Sequence, residues 1–170
     1  MKPLVFSRFQ SVLSIHETSS LKFSVWLTDI DATIMNHAAM MTVFESGRID
    51  FMVRTGFFKL ARQQKWYFPT SSISVQFFRP LKVFQRAIVT TKVFHITGQF
   101  IFIEQRILKD GKDIALCIAK CKVKAGRENI ATQEIISLLN AKNIPKEFPE
   151  LIEIFERQDD AFKTKIILSQ

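Results

Sequence analysis

Along residues 21–28, Leu21, Phe23, Val25 and Leu27 alternate with Lys22, Ser24, Trp26 and Thr28. That period of two predicts a half-buried strand, which Asp29-Ile30-Asp31-Ala32-Thr33 then interrupts. From residue 38 to about residue 54 the period changes. Met40, Phe44, Gly47 and Phe51 recur at helical spacing, and Met41, Val43, Ile49, Met52 and Val53 widen the apolar surface beyond a single stripe. A helix apolar on most of its sides is a buried helix. Asp50 and Arg54, four apart, suit an exposed edge of it. Gly56 is a stop signal just past its end, and a short basic helix over 57–65 follows.

Beyond Trp66, β-branched and aromatic residues dominate. The pattern predicts strands over 71–79, 84–97, 99–109 and 113–124, with Pro80 closing the first and Gly98 turning between the second and third. Asp110-Gly111 is a hairpin signal, because both residues tolerate the positive φ of a tight turn. In the last strand, bulky Ile114, Leu116 and Ile118 alternate with small Ala115, Cys117 and Ala119. Both faces are therefore expected to be covered, one by bulk and one by close approach. Two amphipathic, mildly acidic helices over 129–140 and 148–158 flank Pro145 and are expected on the outside of the domain. The first 19 residues show no firm periodicity. One strand, a long buried helix, then four strands in a meander is the outline of an α+β fold whose antiparallel sheet curls around a central helix. The expected organisation is one domain over 1–128, with 129–170 a helical extension packed on it.

A chain of 170 residues that is 47% hydrophobic has the length and composition of one well-cored domain. The longest charge-free apolar stretch, 32–44, is interrupted by Asn36 and His37 and falls short of the ~20 residues of a spanning helix. Arg8 comes too early for a secretory signal. The expectation is a soluble, cytoplasmic protein. Cys117 and Cys121 on one strand would stand about 13 Å apart, too far for a disulfide, so they read as buried free thiols. The chain offers too few Cys and His for a zinc site, and no metal is expected.

The net charge of +8 is uneven: residues 58–124 carry 13 Lys/Arg against Glu104, Asp110 and Asp113, hence +10. That concentration points to a polyanionic partner, either nucleic acid, an anionic membrane surface or a phosphorylated cofactor. Nucleic acid is the weakest of these, because no stacking platform or recognised motif accompanies the charge.

The segment 25–48 carries the most specific pattern. Thr28-Asp29-Ile30-Asp31, then Met35-Asn36-His37-Ala38-Ala39-Met40, then Phe44-Glu45-Ser46-Gly47-Arg48 resembles the signature of the 4-hydroxybenzoyl-CoA thioesterase-like family of hotdog-fold acyl-CoA thioesterases. The likeness extends loosely to about Lys124. His37 stands in place of that pattern's second Asn and Met40 in place of its Tyr.

The resemblance implies hydrolysis of an acyl-CoA thioester, with Asp31 as general base or nucleophile. The amides of 38–40 at the helix start, Ala38 and Ala39 foremost, would then hold the developing oxyanion, since they lack intrahelical acceptors. His37 is a candidate for positioning water or the acyl group. Asn36 is a candidate site residue that also makes a good helix cap. Asp29 reads as a turn residue, and Glu45 with Arg48 as an ion pair. Arg54, Lys59, Arg62, Arg79 and Lys82, with Lys65 and Arg86, form a pool for the phosphates of coenzyme A, which is part of the substrate, so no separate cofactor is expected. The resemblance also implies a homodimer or homotetramer. The alternative is a non-catalytic acyl-CoA-binding protein of the same fold.

Overall fold

A computed structural model describes residues 11–139, 141 and 146–168. In chain order the elements are β1 (Ser19–Ser24), a 3-10 turn (Leu27–Asp29), β2 (Ile30–Asp31), β3 (Ile34–Met35), α1 (His37–Arg54), α2 (Phe57–Gln64) and β4 (Thr70–Phe77). Then come β5 (Arg86–Ile96), β6 (Ile101–Lys109), β7 (Lys112–Cys121), β8 (Lys124–Ala125), β9 (Glu128–Asn129), α3 (Thr132–Leu138) and α4 (Pro149–Leu168). The long helix, the short basic helix and the four long strands after it lie within about three residues of their expected positions. Asp110 and Gly111 adopt φ of 50° and 73°, the turn their sequence calls for.

The five-stranded antiparallel sheet has the order β1-β5-β6-β7-β4. This corrects the expected meander: β5, β6 and β7 are consecutive neighbours, but β4 pairs with β7, leaving β1 and β4 as the two edges. The helices between β1 and β4 carry the chain from one edge to the other, and the segment after β4 returns it to β5 beside β1. The first strand also stops early. Asp29 Oδ2 accepts a hydrogen bond from the Trp26 N–H at 2.8 Å, which pulls residues 27–29 into the 3-10 turn.

Along one sheet face lies α1, and Gly47 sets how close it comes. A Cβ there would stand 2.9 Å from Thr91 Oγ1 and 3.0 Å from Gln105 Nε2. Beneath that contact runs a buried polar chain. Gln105 Nε2 donates to the Phe44 carbonyl at 2.7 Å and to Thr91 Oγ1 at 3.0 Å. Gln105 Oε1 accepts from Arg48 Nη1 at 2.7 Å, and Arg48 Nη2 pairs with Glu45 as the spacing predicts. Asp50 is a correction: far from marking an exposed edge, it is fully buried, with Arg54 at 3.6 Å and, among the described residues, no hydrogen bond to either carboxylate oxygen.

The small side of β7 faces α1. Ala115, Cys117, Ala119 and Cys121 are fully buried, and both cysteines are free. Burial pushes the Cys117 thiol up to about 12 and the Cys121 thiol up to about 11. Above pH 9 the unfolded chain releases thiol protons that the folded chain keeps, so stability falls as pH rises. The slope reaches about 2.7 kcal/mol per pH unit for two thiols. Urea melts between pH 8 and 11 are expected to show this fall. A double Cys117→Ala/Cys121→Ala variant should flatten it, and an unchanged slope would rule the thiols out as its source.

The opposite face is covered by α4, whose Ile152 and Phe155 pack on Phe94, Phe102 and Ile118. Lys120 reaches Asp159 at 2.6 Å and lies 4.1 Å over the Phe100 ring. The last helix runs ten residues past its expected end at 158, and α3 is shorter than expected. The lead-in before residue 11 and Pro145 lie outside the described residues. Among the described residues no helix is long and apolar enough to cross a membrane.

Candidate active site

The start of α1 is built by its cap. Asn36 is extended (φ −76°, ψ 161°), and its Oδ1 accepts from the Ala39 N–H at 2.7 Å. Its own N–H donates to the Asp29 carbonyl at 2.9 Å, and its carbonyl accepts from the Met40 N–H at 3.1 Å. This fixes the 26–29 turn against the helix end. It also corrects the expected oxyanion donors, because the amides of Ala39 and Met40 are already committed. The first-turn amides left without an intrahelical acceptor are those of His37 and Ala38.

A cleft of about 250 Å³ opens there, lined by Phe23, Ser24, Thr28, Asp29, Met35, Asn36, Ala38, Ala39, Thr42 and Val43. Of the sequence candidates, it gathers Asn36, Ala38 and Ala39. Asp29 turns its carboxylate back to the Trp26 N–H and the Thr28 hydroxyl, the structural role expected of it. Asp31 sits one residue from the tip of the β2–β3 hairpin, opposite Ile34, and is exposed. It is not one of the cleft's lining residues. His37 also faces outward, its ring 4.3 Å from that of Phe77 at the end of edge strand β4. Among the described residues no three His, Cys, Asp or Glu side chains are grouped to hold a metal.

The phosphate pool does not converge. Arg54 is held by Asp50 and by the Ser11 carbonyl and hydroxyl. Lys59 and Arg62 lie on the exposed side of α2. Arg79 donates to the Asp113 carbonyl at 2.5 Å. Only Lys82, bridged to Ile34, sits beside the Asp31 hairpin. A larger groove of about 660 Å³ next to the cleft is lined by Arg86, one of the wider pool, together with Lys22 and Lys109, which were not in it. The signal for two of them was present in the alternation, since Lys22 and Arg86 occupy outward positions of strands whose inward residues are apolar.

The family model of the thioesterase-like superfamily matches residues 25–150, from the end of β1 through the sheet. The chain belongs to the thioesterase-like superfamily. Its sheet and central helix form the hotdog fold. Among solved structures, a probable thioesterase from Bartonella henselae is 22% identical, with a TM-score of 0.62 over 68% of this chain and 98% of that one. A 1,4-dihydroxy-2-naphthoyl-CoA thioesterase from Synechocystis is 13% identical, with a TM-score of 0.61 over 76% and 100%. A Staphylococcus aureus protein solved in complex with CoA is 14% identical, with a TM-score of 0.61 over 83% and 96%. No curated protein sequence matches.

Proposed function

We propose that the protein hydrolyses an acyl-CoA thioester at the cleft before α1. The observation that carries this reading is a helix start with amides lacking intrahelical acceptors, opening into a cleft inside the segment that matches the superfamily model. The thioester carbonyl oxygen is held by the Ala38 N–H, with the His37 N–H beside it. Asp31 takes a proton from water, whose oxygen attacks the carbonyl carbon. The resulting oxyanion collapses, the C–S bond breaks, and the CoA thiolate takes up the proton Asp31 gained. One such backbone donor is worth about 3–4 kcal/mol of barrier.

A homodimer completes the site in this reading. Phe77 and Phe78 are exposed at the end of β4, whose outer edge has no partner strand among the described residues, next to His37. On α1, Ile49 and Val53 are only half-buried, as are Met41 and Met52, which also pack against the core clusters. A second protomer laid along α1 and the end of β4 covers both groups.

The position of Asp31 outside the cleft favours a second reading, a protein that binds acyl-CoA without cleaving it. Free-thiol release from a panel of aliphatic and aromatic acyl-CoAs separates the two. Turnover of at least one member is expected. Submillimolar binding of CoA with no thiol release would leave only the binder standing.

A further inference from the structure

The groove beside the cleft has a composition of its own. Strand register places Ser24 opposite Arg86 and Lys22 opposite Ile88, so Lys22 and Arg86 share the outer face as diagonal neighbours, about 7–8 Å apart at the backbone. This is the corner of the outer face away from the Phe94, Phe102 and Ile118 positions that α4 covers. Neither cation has a carboxylate partner among the described residues, whereas Lys109, at the groove's far wall, is paired with Asp110 at 2.5 Å. Two free positive charges therefore converge on an open groove whose floor includes Ile88 and Leu108.

Two exposed aromatic residues stand at the end of the same two strands. Trp26 follows Ser24 in extended backbone (φ −107°, ψ 168°), and Phe84 precedes Arg86. Their rings meet edge to face at 6.5 Å, yet they remain 60% and 63% exposed. Phe84 holds a left-handed backbone (φ 63°), costly for a side chain without local hydrogen bonding. Its N–H is tied to the Val25 carbonyl at 2.8 Å. An aromatic side chain kept in solvent at the expense of backbone strain is a feature that core packing does not explain.

The groove is also continuous with the cleft, since Phe23 and Ser24 line both. We infer that this groove is the subsite for the nucleotide end of the substrate. Lys22 and Arg86 take its phosphates, the Arg86 guanidinium by its planar fork, and the Trp26–Phe84 pair offers the face on which the purine stacks. The pantetheine arm then passes over the end of β1, delivering the thioester to the start of α1. This inference rests on the acyl-CoA reading above; of the cation pool expected from the sequence it keeps Arg86 and pairs it with Lys22, which lay outside that pool.

The test uses two probes, acyl-CoA against the matching acyl-pantetheine in turnover, and adenosine 3′-phosphate 5′-diphosphate alone in calorimetry. In a Lys22→Ala/Arg86→Ala variant, the preference for acyl-CoA over acyl-pantetheine in kcat/KM is expected to fall at least about tenfold, with the nucleotide's affinity falling in parallel. Trp26→Phe should abolish nucleotide-induced quenching of tryptophan fluorescence. All these side chains are exposed, so folding is expected to survive and is checked by thermal melting. An unchanged preference together with unchanged nucleotide affinity would overturn the assignment while leaving hydrolysis intact. A wild type that turns over no acyl-CoA but binds the nucleotide, and loses it in the double variant, would sink the hydrolase reading and keep the subsite. A double variant that changes oligomeric state in light scattering, without losing the nucleotide, would assign the groove to a protein contact and overturn the inference.

Discussion

Asp31→Asn is expected to lower kcat for thioester hydrolysis by about two to four orders of magnitude, the usual worth of a positioned general base or nucleophile. The substitution keeps the size and shape of the side chain and removes only its ability to accept a proton or attack carbon. Asp31 is exposed on the β2–β3 hairpin, and its carboxylate has no hydrogen bond or ion pair among the described residues. Its replacement should therefore shift folding stability by less than about 0.5 kcal/mol. KM should hardly move, because the contacts proposed for the nucleotide lie elsewhere. Thiol release measured in steady state and in a single turnover, with a thermal melt as the folding control, separates lost chemistry from lost structure. Equal rates in wild type and variant would remove Asp31 from the reaction and shift attention to water held by the helix amides alone.

For stability, the largest expected loss is that of Gln105→Leu, about 3 kcal/mol. The carboxamide is fully buried and bonds three ways, accepting from Arg48 and donating to the Phe44 carbonyl and the Thr91 hydroxyl. Leucine has similar bulk, so little cavity forms. The cost comes from leaving an almost completely buried guanidinium nitrogen without its acceptor and a hydroxyl without its donor. Because an apolar pair is tolerated better than half of a polar one, adding Arg48→Met should recover part of the loss. Urea melts of the two single variants and the double variant read this coupling directly. A Gln105→Leu loss below about 1 kcal/mol, or strict additivity with Arg48→Met, would show that the chain of hydrogen bonds contributes less than its burial implies.

Both predictions depend on features that differ in how far they can be read from residue order. The cap was legible, because Asn36 before an apolar helical run is a local signal and its partner lies three residues away. So was the Asp110-Gly111 turn, set by the conformational freedom of two adjacent residues. The buried helix was legible from its breadth of apolar positions, though Asp50 misled. A charge four residues from an arginine looks the same in sequence whether it faces water or a neighbouring element. The commitment of the Ala39 and Met40 amides followed from the cap itself and was not drawn from the sequence, since a first turn read only as unpaired donors overlooks the side chain that closes it.

The phosphate pool shows the limit more sharply. Counting cations located charge in the middle of the chain, but Arg54 on α1, Lys59 and Arg62 on α2 and Arg79 after β4 stay apart once folded. Lys22, from the neutral first third, instead joins Arg86 across 64 residues of sequence. Their meeting is set by the β1–β5 register.

What the sequence determined by itself was local: which segments bury one face, which residues cap and turn, and a short pattern over 25–48 that resembles a thioesterase signature. These follow from side-chain period and short-range hydrogen bonding, which act within a few residues. What the tertiary structure alone decided was adjacency, from β4 closing on β7 to the groove running into the cleft at Phe23 and Ser24. Strand pairing brings distant residues together through backbone hydrogen bonds that are nearly the same for every side chain, so residue order carries little record of which strands become neighbours.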